Sequence, residues 1–279
     1  MDIEPDASIW HYLDLAKYVG LLSRGLFFAL PSALRAVDPW EGSWGEIDLT
    51  ESLDRTVHSS ADGVAQWQRA LERRHGDQDK YGVSCWHESL TESAALWKLY
   101  APLGLGVAVR STPARVLAAL AERRLEARRI DYGGHRERRL GDDPIVLLST
   151  KRAEFKHEAE VRFFAALTPD EINVLTSFYG DVEAHGTVRK VRPGNRGPLI
   201  LPGKGCATSD PTCLERGAPA GMHLPTSVST LIERVHLAPR CAYSLRRAVI
   251  DVTQRFGLER QLVKEAEFDL APFDRVEFV

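Results

Sequence analysis

The apolar residues of this chain come in short, strand-sized runs, and most of these runs are followed by helical spacing. Ile9 to Asp14 alternates and is rich in aromatic side chains, which reads as a strand. Leu15, Val19 and Leu22 then share one face of a short helix, and Gly25 stops it. Residues 26–30 form a second strand, so the chain opens as strand, helix, strand. The next segment, 31–47, holds Asp38-Pro39-Trp40-Glu41-Gly42-Ser43-Trp44 and reads as a loop that packs its tryptophans against something. A polar stretch with scattered apolar positions, 49–74, reads as one long helix over an edge of the core.

Further along, 83–87 is a strand. Ser89-Leu90-Thr91-Glu92 matches a capping box for a helix running to Tyr100, ended by Ala101-Pro102. A strand follows over 104–110. Ser111 or Thr112 caps the next helix, with Pro113 in its first turn. Residues 125–132 are a strand, 145–155 a helix, 160–167 a strand and 169–179 a short helix. Residues 180–221 are rich in Gly, Pro, Ser and Thr, and read as a long inserted loop. The chain closes as strand (222–225), helix (227–234), strand (235–239), helix (242–256) and strand (262–265). This pattern predicts a single α+β domain over 1–279, a mixed α/β arrangement of short-stranded mixed sheet flanked by helices. It is not a Rossmann fold: no Gly-x-Gly-x-x-Gly follows a strand, and no Walker A pattern occurs.

Composition narrows the function. With 44% hydrophobic and 27% charged residues, 279 residues can bury a sizeable core without disulfides or metals. A net charge of −3 draws the chain neither to nucleic acid nor to an anionic membrane as a whole. No window approaches the roughly 18 apolar residues of a membrane span. The acidic start, Met-Asp-Ile-Glu-Pro-Asp, is unlike a signal peptide, so a cytoplasmic location is expected. Cys85 and Cys241 sit in apolar runs as buried thiols. The spacing of Cys206 and Cys213 fits no standard zinc pair.

Three stretches carry a resemblance. The first is Trp10-His11-Tyr12-Leu13-Asp14, with Leu26-Phe27-Phe28-Ala29 and Asp38-Pro39-Trp40-Glu41-Gly42. The second is Cys85-Trp86-His87, with Glu92 to Tyr100 and Gly106 to Thr112. The third is Lys151-Arg152, with Phe155-Lys156-His157-Glu158-Ala159-Glu160-Val161-Arg162. Together they resemble the bacterial family called domain of unknown function 2971, over most of the chain except 180–221. The resemblance implies a bacterial cytosolic protein, often encoded near defence or mobile-element genes, and no established reaction. His11 stands where the family pattern leads us to expect Arg.

Lys151, Arg152, His157, Glu158, Glu160 and Arg162 are the densest set of chemical groups. Two carboxylates and a guanidinium on one strand face are costly unless paired or solvated. They read either as a structural ion-pair network or as an active-site rim. In chain order, a strand His11, a strand ending Ser111-Thr112 and a Glu158-x-Glu160 pair look like mono-ADP-ribosyltransferases. That resemblance implies NAD as a substrate. Glu160 would stabilise an oxocarbenium-like ribose, Glu158 would orient or activate the acceptor, and His11 would hold the adenosine-side ribose. Ser111 would brace the nicotinamide ribose, Tyr12 or Tyr100 would stack on the nicotinamide, and Lys151, Arg152 or Arg162 would meet the pyrophosphate. Ser111-Thr112-Pro113 departs from the usual Ser-Thr-Ser. The acceptor would be a protein or a nucleic acid base, with the basic stretches 123–129 and 136–139 suited to phosphates. Two alternatives stand beside this reading. One is a non-catalytic binding or sensor module, which predicts salt-bridged Glu158 and Glu160 and no deep cleft between them and His11. The other is a metal-dependent nuclease or hydrolase using His87, His157 and Glu158. No helical His-x-x-x-His pattern supports the latter, and no metal is expected.

Overall fold

The computed structural model describes residues 3–57, 62–133, 139–173, 175 and 221–267. The expected insertion at 180–221 lies outside them except for Gly221, as do Cys206, Cys213 and most of the basic stretch 136–139.

The expected α+β fold is what forms: one mixed, open sheet with helices packed on it. Its organising strand is β3 (Tyr81–Glu88). Along one edge β3 pairs antiparallel with β8 (Glu160–Ala166), from Tyr81↔Ala166 to His87↔Glu160. Its other edge is shared. β1 (Ile9–Asp14) takes the end near Glu88, and β2 (Leu26–Ala29) takes the end near Val83. Beyond β8 lies β5 (Leu125–Arg129). Beyond β1 come β4 (Gly106–Ser111), β10 (Arg234–Leu237) and, running parallel to β10, β11 (Val263–Lys264). β9 (Gly221–Leu224) covers the outer edge of β2. A two-stranded parallel sheet joins β6 (Asp131–Tyr132) to β7 (Thr150–Lys151).

The opening strand–helix–strand forms as expected. In α1 (Leu15–Arg24), Asp14 caps the start by accepting the Lys17 N–H at 2.8 Å. Gly25 closes it at φ 98°, where a Cβ would lie 2.0 Å from the Leu224 carbonyl oxygen. Only glycine fits that conformation and that approach.

Some expectations fail for local reasons. The segment 31–47 is not all loop: Pro31 starts a short helix, α2 (Pro31–Val37), as proline at a first helical position can. The long helix at 49–74 is two, α3 (Glu46–Val57) and α4 (Gly63–Gln78). The helix at 145–155 is α7 (Pro144–Leu148), followed by β7 and a 3₁₀ turn, Ala153–Glu158. In between, α5 (Ala94–Tyr100) and α6 (Pro113–Ala119) form where expected, and Thr112 caps α6 by accepting the Arg115 N–H at 3.3 Å. The closing helices are α8 (Val228–Leu231) and α9 (Tyr243–Arg255). The Tyr18 and Thr253 hydroxyls bond at 2.8 Å, tying α1 to α9.

The two sheet faces have different cores. Ile9, Leu13, Trp86, Val107, Val109, Val161, Phe163 and Val235 build the larger one. Trp10, Tyr12, Leu96, Trp97 and Ala108 build a second on the opposite face, under α5. Val107, Ala108 and Val109 are all sealed from water, so β4 is covered on both sides. Burying each large side chain stabilises the fold by about 1.5–3 kcal/mol, and both cores contribute.

Candidate active site

The site forms at the end of β8, on the face of the second core. Antiparallel partners directly opposite one another share a face. Thus Glu160 stands beside His87, and Arg162 beside Cys85. Glu158 precedes the strand, in the 3₁₀ turn, so simple alternation cannot place it. Ala159 does so by adopting a left-handed conformation, φ 40° and ψ 54°. Such a conformation costs a non-glycine residue free energy and persists only where surroundings hold it. Two bonds hold it here: the Ala159 carbonyl accepts the Glu88 N–H at 2.8 Å, and His87 Nδ1 bonds the Glu158 carbonyl at 2.6 Å.

The result is a network of five charges. Lys151, carried in by β7, forms a short ion pair with Glu158 and lies 3.3 Å from Glu160. Arg162 reaches Glu160 at 2.8 Å, the Leu148 carbonyl at 2.7 Å, and Glu41 through a short ion pair. The Tyr132 hydroxyl accepts the Glu160 backbone N–H at 2.8 Å. Burial drives the Glu160 carboxyl up, but the Arg162 and Lys151 charges outweigh it and hold it below the ordinary glutamate value. Burial is likewise the largest single effect on Lys151 and Arg162 and opposes their charges, but the acidic neighbours together outweigh it (Glu160 with Glu158 and Glu41 for Lys151, Glu160 with Glu41 for Arg162), so each stays protonated. Around this network, part burial pushes the Tyr100 hydroxyl up to about 12, with the Glu158 charge adding to it. Burial does the same for Tyr132, also to about 12. The Cys85 thiol is pushed up by burial and then by Glu160, which makes it a poor nucleophile. Three carboxylates (Glu41, Glu158, Glu160) thus face two cations (Lys151, Arg162).

Several expected members are elsewhere. His11 alternates with Ile9 and Leu13 onto the larger core's face, opposite Glu160. It sits where β1 parts from β3, its ring 4.9 Å from Trp86 and its Nδ1 bonding the Cys85 carbonyl at 3.0 Å. Burial lowers its pKa to about 4, so it is neutral, and its place on the opposite face keeps it from a ribose held beside Glu160. Ser111 is sealed in the same face and donates to the Leu231 carbonyl at 2.6 Å, a fold-holding bond instead of a nicotinamide brace. Tyr12 is on the right face but buried. It stands edge-on to Trp97 at 5.0 Å, and its hydroxyl accepts the Ser93 N–H at 2.7 Å, so it offers no stacking surface. Arg162, 1% exposed, cannot meet a pyrophosphate. Tyr100, 44% exposed, and Arg152, which pairs with Asp38 at 2.9 Å, keep accessible surface. In the basic stretch 123–129, Arg123 pairs with Glu171, Arg128 with Glu126 and Arg129 with Glu88, so these arginines are already neutralised. Sequence reasoning did not single out Tyr132 and weighed His87 only as a metal ligand; the strand registers place His87 across from Glu160 and Tyr132 across from Lys151.

Glu92 is not the far half of a capping box. Ser93 caps α5, accepting the Leu96 N–H at 3.4 Å. Glu92 turns inward, where one carboxylate oxygen accepts from His236 Nδ1 at 2.5 Å and the Glu267 N–H at 3.0 Å. The other accepts from the Trp97 indole at 2.8 Å. Among the described residues, Glu92, His236 and Glu267 are the one group spaced closely enough to hold an ion. These hydrogen bonds take three of the roughly four acceptor sites of the Glu92 carboxylate. His157 bonds the Glu154 carbonyl at 3.2 Å, and among the described residues the alternative His87–His157–Glu158 metal set does not assemble.

In comparisons with known families, with curated proteins and with solved structures, the chain finds no match.

Proposed function

We propose that this protein cleaves the nicotinamide–ribose bond of NAD at the Glu158–Glu160 site and passes the ADP-ribosyl group to an acceptor. The carrying observation is the charge of the network: three carboxylates against two cations, largely shielded from water. One negative charge in excess opposes positive charge growing nearby, and it counts for more in a water-poor site. When the ribose–nitrogen bond breaks, its electron pair leaves on nicotinamide and the ribose becomes an oxocarbenium. Glu160, held ionised, faces that centre; Glu158 orients the acceptor. Tyr100 is the exposed aromatic available to stack on nicotinamide, and Arg152, part-exposed beside Asp38, meets the pyrophosphate by exchanging that ion pair.

One observation favours a second reading. Lys151 and Arg162 already pair with both carboxylates, and His11 and Ser111 lie on the other face, as a non-catalytic binding module would have it. Glu160→Gln separates the two. With NAD and the purified protein, the wild type releases nicotinamide, and the variant loses turnover by about 10²–10³-fold while staying folded. No release by the wild type, with or without cell lysate as acceptor, together with a destabilised variant, leaves the binding module.

A further inference from the structure

We infer that His87 is the general base of this site and that the acceptor is a hydroxyl group, water being the simplest. This rests on the NAD-cleaving reading above. A carbonyl oxygen only accepts, so the 2.6 Å bond from His87 Nδ1 to the Glu158 carbonyl fixes the proton on Nδ1. In the neutral ring the lone pair is then on Nε2, as a positioned base requires. Nε2 of His87 makes no hydrogen bond among the described residues. His87 is 9% exposed, and its Nε2, unlike Nε2 of His236, is not among the buried side-chain nitrogens left without a partner. The strand register puts His87 directly across from Glu160, so their Cβ atoms stand roughly 5 Å apart. A group bound between them meets the oxocarbenium-facing carboxylate on one side and a free lone pair on the other.

The other candidates for the base are spent. Glu160 is held ionised by Arg162 and Lys151, and Glu158 is tied to Lys151. An acceptor carboxylate would need no base, whereas a hydroxyl must lose its proton as it attacks. The step balances. The ribose–nitrogen bond breaks with its electrons on nicotinamide, the hydroxyl oxygen forms the new bond to the ribose carbon, and its proton moves to Nε2 and then to solvent.

The test is nicotinamide release from NAD by the wild type and by His87→Asn, each with and without sodium azide. Asparagine can donate an N–H to the Glu158 carbonyl from about where Nδ1 stands, but supplies no base. Azide attacks without losing a proton. We expect His87→Asn to lose about 10²-fold in turnover and azide to restore at least a tenfold part of it, yielding an azido-ADP-ribose, with the melting temperature little changed. Unchanged turnover in His87→Asn overturns the inference and leaves the NAD reading standing. A loss that azide does not restore makes His87 a brace for Glu158 and also overturns it. No release by the wild type overturns the NAD reading, and this one with it.

Discussion

His236 donates from Nδ1 to the Glu92 carboxylate at 2.5 Å, joining residues 144 apart in sequence beneath α5. That carboxylate also takes the Trp97 indole and the Glu267 backbone N–H, so three donors depend on one side chain. Glu92→Ala leaves them without an acceptor. Each unsatisfied buried donor costs about 1–3 kcal/mol, so the variant should lose about 3 kcal/mol or more in urea unfolding. A loss near 1 kcal/mol, the worth of a helix cap, would return Glu92 to the capping role.

Arg162 is the buried cation on which two acids rely. Arg162→Met leaves Glu41 and Glu160 facing one another with only Lys151 nearby. Removing one partner of a buried pair costs about 3–5 kcal/mol. Adding Glu41→Gln should recover part of that loss, and thermal melts of the single and double variants check both statements. Equal melting of the two would mean that Glu41 does not depend on Arg162.

His11 makes the fold acid-sensitive. Burial lowers its pKa from the ordinary 6.5 to about 4. Between those values the unfolded chain takes up a proton that the folded chain refuses. Stability therefore falls as the pH drops from about 6.5 to about 4, by roughly 3 kcal/mol, and falls no further through this group below that. His11→Asn keeps a donor for the Cys85 carbonyl and should flatten this slope. His75, also lowered to about 4 by burial, accounts for part of the slope that remains. Urea midpoints at pH 4.5 and pH 7, compared between wild type and His11→Asn, read the difference; parallel slopes would remove His11 from the account.

Gly25→Ala should be among the worst single changes outside the two cores. At φ 98° the new methyl carbon would lie 2.0 Å from a backbone oxygen of Leu224, which cannot swing away as a side chain can. The expected loss is about 3 kcal/mol or more, read as the fall in the unfolding midpoint. A change within about 0.5 kcal/mol would mean that the β2–β9 junction relaxes freely.

Much of this architecture was readable from local pattern. Alternation at Ile9–Asp14 and the Thr112-Pro113 cap depend on neighbours in sequence, and both form as expected. What was not readable depends on register and distance. A Ser89–Glu92 spacing fits a capping box, yet Glu92 finds His236 across the sheet, a partner no local motif can announce. His11, Ser111 and Glu160 look like parts of one site in chain order. Which face each takes is set by how β1, β4 and β8 align on their partners, and a shift of one residue would exchange the faces. Lys151 with Glu158 and Glu160 was legible as a cluster because its members are close in sequence. Glu41, which completes it, is 121 residues from Arg162.

The placement of β9 has a consequence for how the chain is made. Leu224, which closes the outer edge of β2, comes 198 residues after Leu26. At about 5–20 residues per second of synthesis, β2 waits on the order of 10–40 s for its neighbour. During that interval the emerging polypeptide presents an open strand edge carrying Leu26 and Phe28, a template onto which a strand of another chain can add. The period of greatest aggregation risk for this protein therefore falls on the ribosome, before the last fifth of the sequence has appeared.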